Sequence, residues 1–341
     1  MEYEILRQSL QKNPKIWLVT GAAGFIGSNL VETLIGLDQC VVGLDNLSTG
    51  HMSNIQQIKD KVNREQWNNF QFIEGDILDE AVCAKATTNV NYVLHQAALG
   101  SVPRSLEDPS KTNAVNVTGF LNILLAAKEA SVETFVYAAS SSTYGDHPDL
   151  PKCENIIGKP LSPYAVTKYV NELYADVFHK AYGINSVGLR YFNVFGPRQD
   201  PDGAYAAVIP KWIHKILHNE PLRVNGDGTT SRDFCYIENV VQANILAACC
   251  DNKHKNTVYN VAVGEQTSLM QLIQYLKTEL SDLDEQNEIN VIHNDFRDGD
   301  IQHSLASIHK IKESLGYQPS HSILDGIRTS LPWYISRFRE Y

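Results

Sequence analysis

The stretch Gly21-Ala22-Ala23-Gly24-Phe25-Ile26-Gly27 constrains this chain more than any other. An apolar run from Ile16 to Thr20 precedes it and a helical pattern from Ser28 to Leu37 follows, so the predicted order is strand, glycine turn, helix. Three glycines at intervals of three let the backbone turn tightly, admit a pyrophosphate against backbone N–H groups, and seat the helix close to its strand. The helix N-terminus then faces the phosphates. The next apolar run, Cys40 to Leu44, ends in Asp45, an acid at the place where such a unit holds adenosine ribose hydroxyls. A carboxylate there repels a 2′-phosphate, which points to NAD rather than NADP. A plain turn at Asp45-Asn46 is the alternative.

Further apolar runs, Phe70 to Ile73, Tyr92 to Ala98 and Thr134 to Ala139, alternate with helical patterns such as Thr118 to Ala130. This alternation predicts an α/β fold, a Rossmann-type doubly wound parallel sheet. Ligands in such sheets lie beyond the carboxyl ends of strands, where Asp76, Ile77, Ala97, Ala98 and the run Ser140-Ser141-Ser142 fall. Asp76 and Ile77 would border an adenine. The small pair Ala97-Ala98 would let backbone approach a cofactor, and the loop from Leu99 to Arg104 would set polar groups beside a substrate; a tight strand exit with an exposed arginine reads equally well.

Midway along the chain, Tyr164 and Lys168 stand four residues apart in the helix-compatible run Ser162-Pro163-Tyr164-Ala165-Val166-Thr167-Lys168 and so share a helix face. An ammonium beside a phenol favours the phenolate, which makes the two a proton-transfer pair. Such spacing also arises on amphipathic helices whose side chains merely reach for water. The serine run lies about 20 residues earlier, where its hydroxyls would reach an atom that Tyr164 deprotonates or simply form a turn.

The 341 residues, 43% of them hydrophobic, suffice for a large domain with a smaller one attached. Residues 1–197 read as the nucleotide-binding domain and 198–341 as a smaller C-terminal α/β region, with some segments returning to the first. A formal net charge of −10 argues against nucleic acid and anionic membranes as partners. Six cysteines without C-x-x-C spacing read as reduced thiols of a cytoplasmic protein, and no metal site is expected. In the C-terminal region, Asn225-Gly226-Asp227-Gly228 suggests a hairpin turn. Arg232 and Arg297 would clamp a diphosphate in bidentate geometry, or pair with Asp233, Asp298 and Asp300.

Together T-G-A-A-G-F-I-G, Asp45, Y-A-A-S-S-S-T-Y-G, S-P-Y-A-V-T-K and R-Y-F-N-V-F-G-P resemble the extended short-chain dehydrogenase/reductase superfamily almost end to end. Within it the chain looks like the UDP-hexose 4-epimerases, whose C-terminal region carries similar G-D-G, S-R-D-F and R-x-G-D elements. It is nearest the branch acting on UDP-N-acetylglucosamine and its uronic acid for bacterial surface polysaccharides, to which Ala97 to Arg104 is particularly similar. The resemblance implies that Tyr164 is the acid/base and that Lys168 holds the nicotinamide ribose and lowers the tyrosine pKa. It implies that Ser140, Ser141 or Ser142 bonds the sugar O4. Gly21, Gly24, Phe25, Ile26, Gly27, Asp45, Asn46, Ser48, Thr49, Gly50, Asp76, Ile77, Gln96, Ala97, Ala98 and Val194 would hold NAD. Gly100, Ser101, Arg104, Asn193, Val208, Ile209, Val224, Asn225, Arg232, Arg297, Asp300 and Ser304 would hold the UDP-sugar. A homodimer is also implied. The expected reaction oxidises C4 to a 4-keto sugar, turns the ring over and reduces the opposite face.

Two departures matter. Many family members read S-S-S-A-T-V-Y-G where this chain has S-S-S-T-Y-G, so the serine that serves O4 stays open. Glucose/galactose-restricted members often carry a bulky tyrosine four residues after the position of Asp300, where this chain has Ser304, leaving volume for a 2-acetamido group. The competing readings are a nucleotide-sugar 4,6-dehydratase, which usually needs an Asp-Glu pair where Ser141-Ser142 stand, a UDP-glucuronate decarboxylase, and a non-catalytic NAD-sensing scaffold.

Overall fold

The computed structural model describes residues 2–200, 207–281, 289–295 and 302–339. The strands are β1 (Ile16–Thr20), β2 (Cys40–Asp45), β3 (Phe70–Glu74), β4 (Tyr92–His95), β5 (Thr134–Ser140), β6 (Ser186–Tyr191), β7 (Val194–Phe195), β8 (Leu222–Asn225), β9 (Ser231–Arg232), β10 (Cys235–Tyr236), β11 (Thr257–Val261), β12 (Thr267–Ser268) and β13 (Val291–Asn294). Seven of them form one parallel sheet in the order β11-β6-β5-β4-β1-β2-β3. The chain steps outward from β1 to β3, then crosses back to β4 on the other side of β1. That reversal opens a crevice at the carboxyl ends of β1 and β4, the place where such sheets bind ligands.

Both faces of the sheet are covered, which is why its strands read as continuous apolar runs. Trp17 and Val19 enter one apolar cluster and Leu18 between them enters the other, as the two-residue side-chain period requires. Phe135 and Tyr137 join Leu18, whereas Val136 joins Trp17. Fully burying each such side chain contributes about 1.5–3 kcal/mol.

Local chemistry fixes the ends of the helices that matter. The helix Pro163–Tyr182 starts at Ser162, whose hydroxyl accepts from Ala165 N at 3.1 Å, has proline in its first turn, and stops at Gly183 in left-handed conformation. The predicted strand Tyr92 to Ala98 ends at His95, so Gln96 to Ala98 lie beyond the sheet. The helix expected from Thr118 begins at Phe120, after a π-helical turn over Ala114–Gly119. Inside that turn Asn116 accepts from Leu99 N at 2.7 Å and donates to Leu99 O at 3.1 Å, so the wide turn brings an amide against the β4 exit loop.

The N-terminal residues carried no secondary-structure expectation, yet Tyr3–Lys12 form a helix that buries Leu6 and Leu10 against the helix Ile237–Cys249. Beyond β6 the chain contributes both to the large sheet and to small strand pairs. Ile237–Cys249 and β11 complete the large sheet and its cover, while β8 with β13, β9 with β12 and β7 with β10 make three small pairs. The hairpin expected at Asn225-Gly226-Asp227-Gly228 is not formed. A turn is present, with Gly226 and Gly228 at φ 77° and 84° and Asp227 Oδ1 accepting from Thr229, but its flanking strands pair elsewhere: β8 runs parallel to β13 and β9 antiparallel to β12. Turn residues specify a reversal of the chain; the partners of the strands are set by side-chain burial. Among the described residues no helix is long and apolar enough to cross a membrane, and no cluster of His, Cys, Asp and Glu could hold a metal ion. All six cysteines are free thiols.

Candidate active site

Two cavities open on the carboxyl side of the sheet. The first, of about 330 Å³, is lined by Gly21, Gly24, Phe25, Ile26, Gly27, Asp45, Asn46, Ser48, Thr49, Asp76, Ile77, Gln96, Ala97, Ala98 and Gly100. Nearly the whole proposed cofactor set is therefore gathered around one space, joined by Leu44, Gly75, Leu99 and Val115. The glycine turn fits a dinucleotide on steric grounds. A Cβ on Gly27 would stand 2.0 Å from Gly21 O, and one on Gly21, at φ 68°, would stand 2.9 Å from Ala97 N. Asp45 is both turn residue and cavity wall: its carboxylate accepts from Ala23 N at 2.9 Å and Leu47 N at 2.8 Å, leaving lone pairs for ribose hydroxyls. Gly50 lies behind this wall, where a Cβ would meet Asp45 Oδ2 at 2.9 Å.

The second cavity, of about 550 Å³, is lined by Asn193, Val208, Ile209, Asn225 and Arg232. Val194, expected beside the cofactor, lines this cavity instead, and Gly100, expected beside the substrate, lines the first. Val224 lines neither: it is 0% exposed in β8, where alternation turns it inward between Arg223 and Asn225. Arg297 and Asp300 lie outside the described residues. The sequence reading missed Lys211, Lys215 and Arg223, which add positive charge to this wall, and Trp212 and Phe234, which add apolar surface. Lys211 and Lys215 are four apart on the helix Val208–Leu217, a spacing that was available to find them. Arg232 Nη1 donates to the carbonyls of Ser231 and Gln302, while Asp233 turns away from the cavity.

The pair that the sequence singled out lines neither cavity; its helix packs on β5. Lys168 is 3% exposed and its Nζ donates to Ala138 O at 2.8 Å, inside the end of β5; burial lowers its pKa to about 8. Tyr164 behaves differently from the expectation. Burial raises its pKa, hydrogen bonding to Ser140 opposes that rise, and the ammonium of Lys168 stands 6.0 Å from the ring centroid. In the protein chain by itself desolvation outweighs any help from the lysine, so the phenol stays protonated at neutral pH. Among the three serines, Ser140 is the buried one, and its Oγ accepts from Ser142 N at 3.1 Å and Ser142 Oγ at 2.9 Å. Ser141 and Ser142 are half-buried in the 3-10 turn that follows.

Ser101 caps the helix Val102–Glu107 by accepting from Arg104 N at 3.3 Å, and its φ of 93° bends the loop out of the sheet. Ser304 donates its backbone N–H to Ser231 O at 3.0 Å, which ties it to β9 one residue from Arg232; Ser304, Ser101 and Arg104 line neither cavity. His95 was not expected to matter. It lies beneath the site, 4% exposed, with Nδ1 2.8 Å from Thr20 Oγ1, which itself accepts from Ala97 N at 3.2 Å. The hydroxyl and the ring nitrogen thus share one hydrogen bond beneath the Ala97 backbone. Burial and the nearby Lys168 charge push the imidazole down to about 3, so the ring is neutral.

A model of the NAD dependent epimerase/dehydratase family matches residues 17–262, a span that holds the glycine turn, Asp45, the serine run, Tyr164 and Lys168. The chain belongs to this family. The UDP-N-acetylglucosamine 4-epimerase of Methanobrevibacter ruminantium, solved with UDP-N-acetylmuramic acid, is 39% identical and superposes with a TM-score of 0.87 over 95% of this chain and 99% of its own. The UDP-glucuronic acid 4-epimerase of Bacillus cereus, solved with UDP-glucuronic acid and NAD, is 31% identical with a TM-score of 0.83 over 94% and 99%. The UDP-glucose 4-epimerase of Mycolicibacterium smegmatis is 33% identical over 93% of this chain and 97% of its own.

Proposed function

We propose that this NAD-dependent UDP-sugar 4-epimerase interconverts UDP-N-acetylglucosamine and UDP-N-acetylgalactosamine, or their uronic acid forms, in the supply of precursors for surface polysaccharide. The observation that carries the sugar specificity is Ser304: the chain bearing it is hydrogen-bonded to Ser231, next to Arg232 in the wall of the second cavity. A serine in that position leaves volume beside the sugar that a tyrosine would fill. The 39% identity to a UDP-N-acetylglucosamine 4-epimerase supports the same reading.

Bound NAD supplies a site that accepts hydrogen from C4 of the sugar and returns it. The chain's own groups do the rest. Tyr164 takes the O4 proton and gives it back, Ser140 donates to O4 and holds it toward Tyr164, and Lys168 anchors the nicotinamide ribose from its place against β5. Asn193, Asn225, Arg232 and the cations Lys211 and Arg223 hold the nucleotide diphosphate while the sugar turns between two faces. Binding energy therefore belongs mostly to UDP. A 4,6-dehydratase is disfavoured because Ser141 and Ser142 offer no carboxylate to expel water. The homodimer forms part of the proposal: Val166, Leu173 and Val177 are 48%, 49% and 54% exposed along one side of the helix bearing Tyr164, a stripe suited to a second copy, which sedimentation would detect.

The test is to incubate purified protein with each UDP sugar, neutral and uronic, without added NAD, and to resolve the products by chromatography. Interconversion of an N-acetylated pair is expected. Turnover of UDP-glucose alone would overturn the proposal.

A further inference from the structure

Asp233 is the most completely buried carboxylate near the site, at 0% exposure, and no described lysine, arginine or histidine forms an ion pair with it. Burying a charge in this way is costly unless hydrogen bonds compensate. Three backbone amides offset part of that cost, although burial still pushes the carboxyl up to about 6: Val263 N donates to Oδ1 at 3.0 Å, Gly264 N to Oδ2 at 3.1 Å, and Ala306 N to Oδ2 at 3.2 Å. These amides come from two segments far apart in sequence, and the carboxylate draws both onto the strand that carries Arg232.

The segment that ends at Ala306 is the one that holds Ser304. It is tied elsewhere as well: Gln302 O accepts from Ser231 N at 3.0 Å and from Arg232 Nη1 at 3.1 Å, and Ser307 O accepts from Asn260 Nδ2 at 3.1 Å. Ser304 N bonds Ser231 O, His303 Nδ1 meets Ser231 Oγ at 2.9 Å, and Lys152 brackets the far end by donating to Leu305 O and accepting from Ser307 N. Among these contacts Asp233 supplies the only side-chain acceptor whose charge is committed wholly to backbone amides. Its neighbours in the chain, Arg232 and Phe234, both line the second cavity. One residue thus links the nucleotide wall to the segment beside the sugar.

Accordingly we propose that Asp233 is a specificity-positioning residue: its carboxylate holds the segment from His303 to Ala306 at the distance from Arg232 that leaves room for an N-acetyl group. Asp233 does not touch substrate. It acts through Ser304, and the inference rests on the N-acetyl reading given above. A carboxylate is required because it offers about four acceptor sites and no donor. Asparagine would turn an N–H₂ toward a backbone N–H, so at least one segment would shift.

The experiment compares kcat/KM for UDP-N-acetylglucosamine and for UDP-glucose in wild type and Asp233→Asn, each checked for bound NAD and far-UV circular dichroism. The expected result is a rise of about tenfold in KM for the N-acetylated sugar, with kcat and the UDP-glucose parameters nearly unchanged; that is about 1.4 kcal/mol of discrimination. Should D233N fail to fold, Ala306→Pro deletes one amide donor and leaves the carboxylate in place, and the same selective rise is expected. Equal losses toward both sugars would overturn the positioning role while leaving the N-acetyl reading intact. A wild type inactive on every N-acetylated sugar would overturn both.

Discussion

Replacing His95 by glutamine removes a buried group that couples this fold to acid. The imidazole is neutral in the folded chain down to about pH 3, whereas in the unfolded chain it titrates near its ordinary 6.5. Below 6.5 the unfolded state therefore binds a proton that the folded state refuses. The contribution of His95 is fully present above pH 6.5 and is lost as the pH falls toward 3. At pH 5.0 the folded ring is still neutral, so the loss depends only on the unfolded value: about 1.5 pH units at 1.36 kcal/mol each, or about 2 kcal/mol relative to pH 7.5. Urea unfolding of wild type and His95→Gln at both pH values measures this, because carboxylates common to the two proteins cancel in the double difference. The wild type should lose about 2 kcal/mol more than the variant between pH 7.5 and 5.0. An equal loss in both proteins would refute a buried, neutral His95.

Three further outcomes follow from named contacts. Tyr164→Phe should lower kcat by a factor of about 10² to 10⁴ while NAD stays bound, and an intact rate would remove Tyr164 from the proton transfer. Gly27→Ala places a methyl group 2.0 Å from Gly21 O; protein purified from this variant should carry far less NAD than wild type, read from its absorbance after denaturation. Arg190 and Glu172 form a buried bidentate pair with bonds of 2.8 and 2.7 Å, so Arg190→Gln should destabilise by about 3–5 kcal/mol through the stranded carboxylate, and adding Glu172→Gln should restore part of that in chemical denaturation.

Short-range chemistry was legible without coordinates. Glycine spacing, an acid after the second strand and a tyrosine four residues before a lysine depend on neighbours in the chain, and each carries its own steric or electrostatic meaning. So did the sheet, since strands buried on both faces leave continuous apolar runs. What failed to show were the places where distant segments meet. Asn225-Gly226-Asp227-Gly228 announced a turn but said nothing of β8 pairing with β13. Nothing local marks Thr20 as the hydrogen-bond partner of His95, because the two are 75 residues apart. Spacing alone suggested that Lys168 would lower the Tyr164 pKa, yet the degree of burial, a property of the whole fold, reversed the direction.

The sequence by itself therefore determined the fold and the cofactor class and singled out the candidate pair for proton transfer, since these reside in patterns a few residues long. Only the tertiary structure decided how the phenol and ammonium are solvated, which cations face the nucleotide cavity, and how a carboxylate at residue 233 ties down the segment that carries Ser304. Those depend on the summed exclusion of water and on backbone amides brought together across more than 70 residues, which no local pattern records.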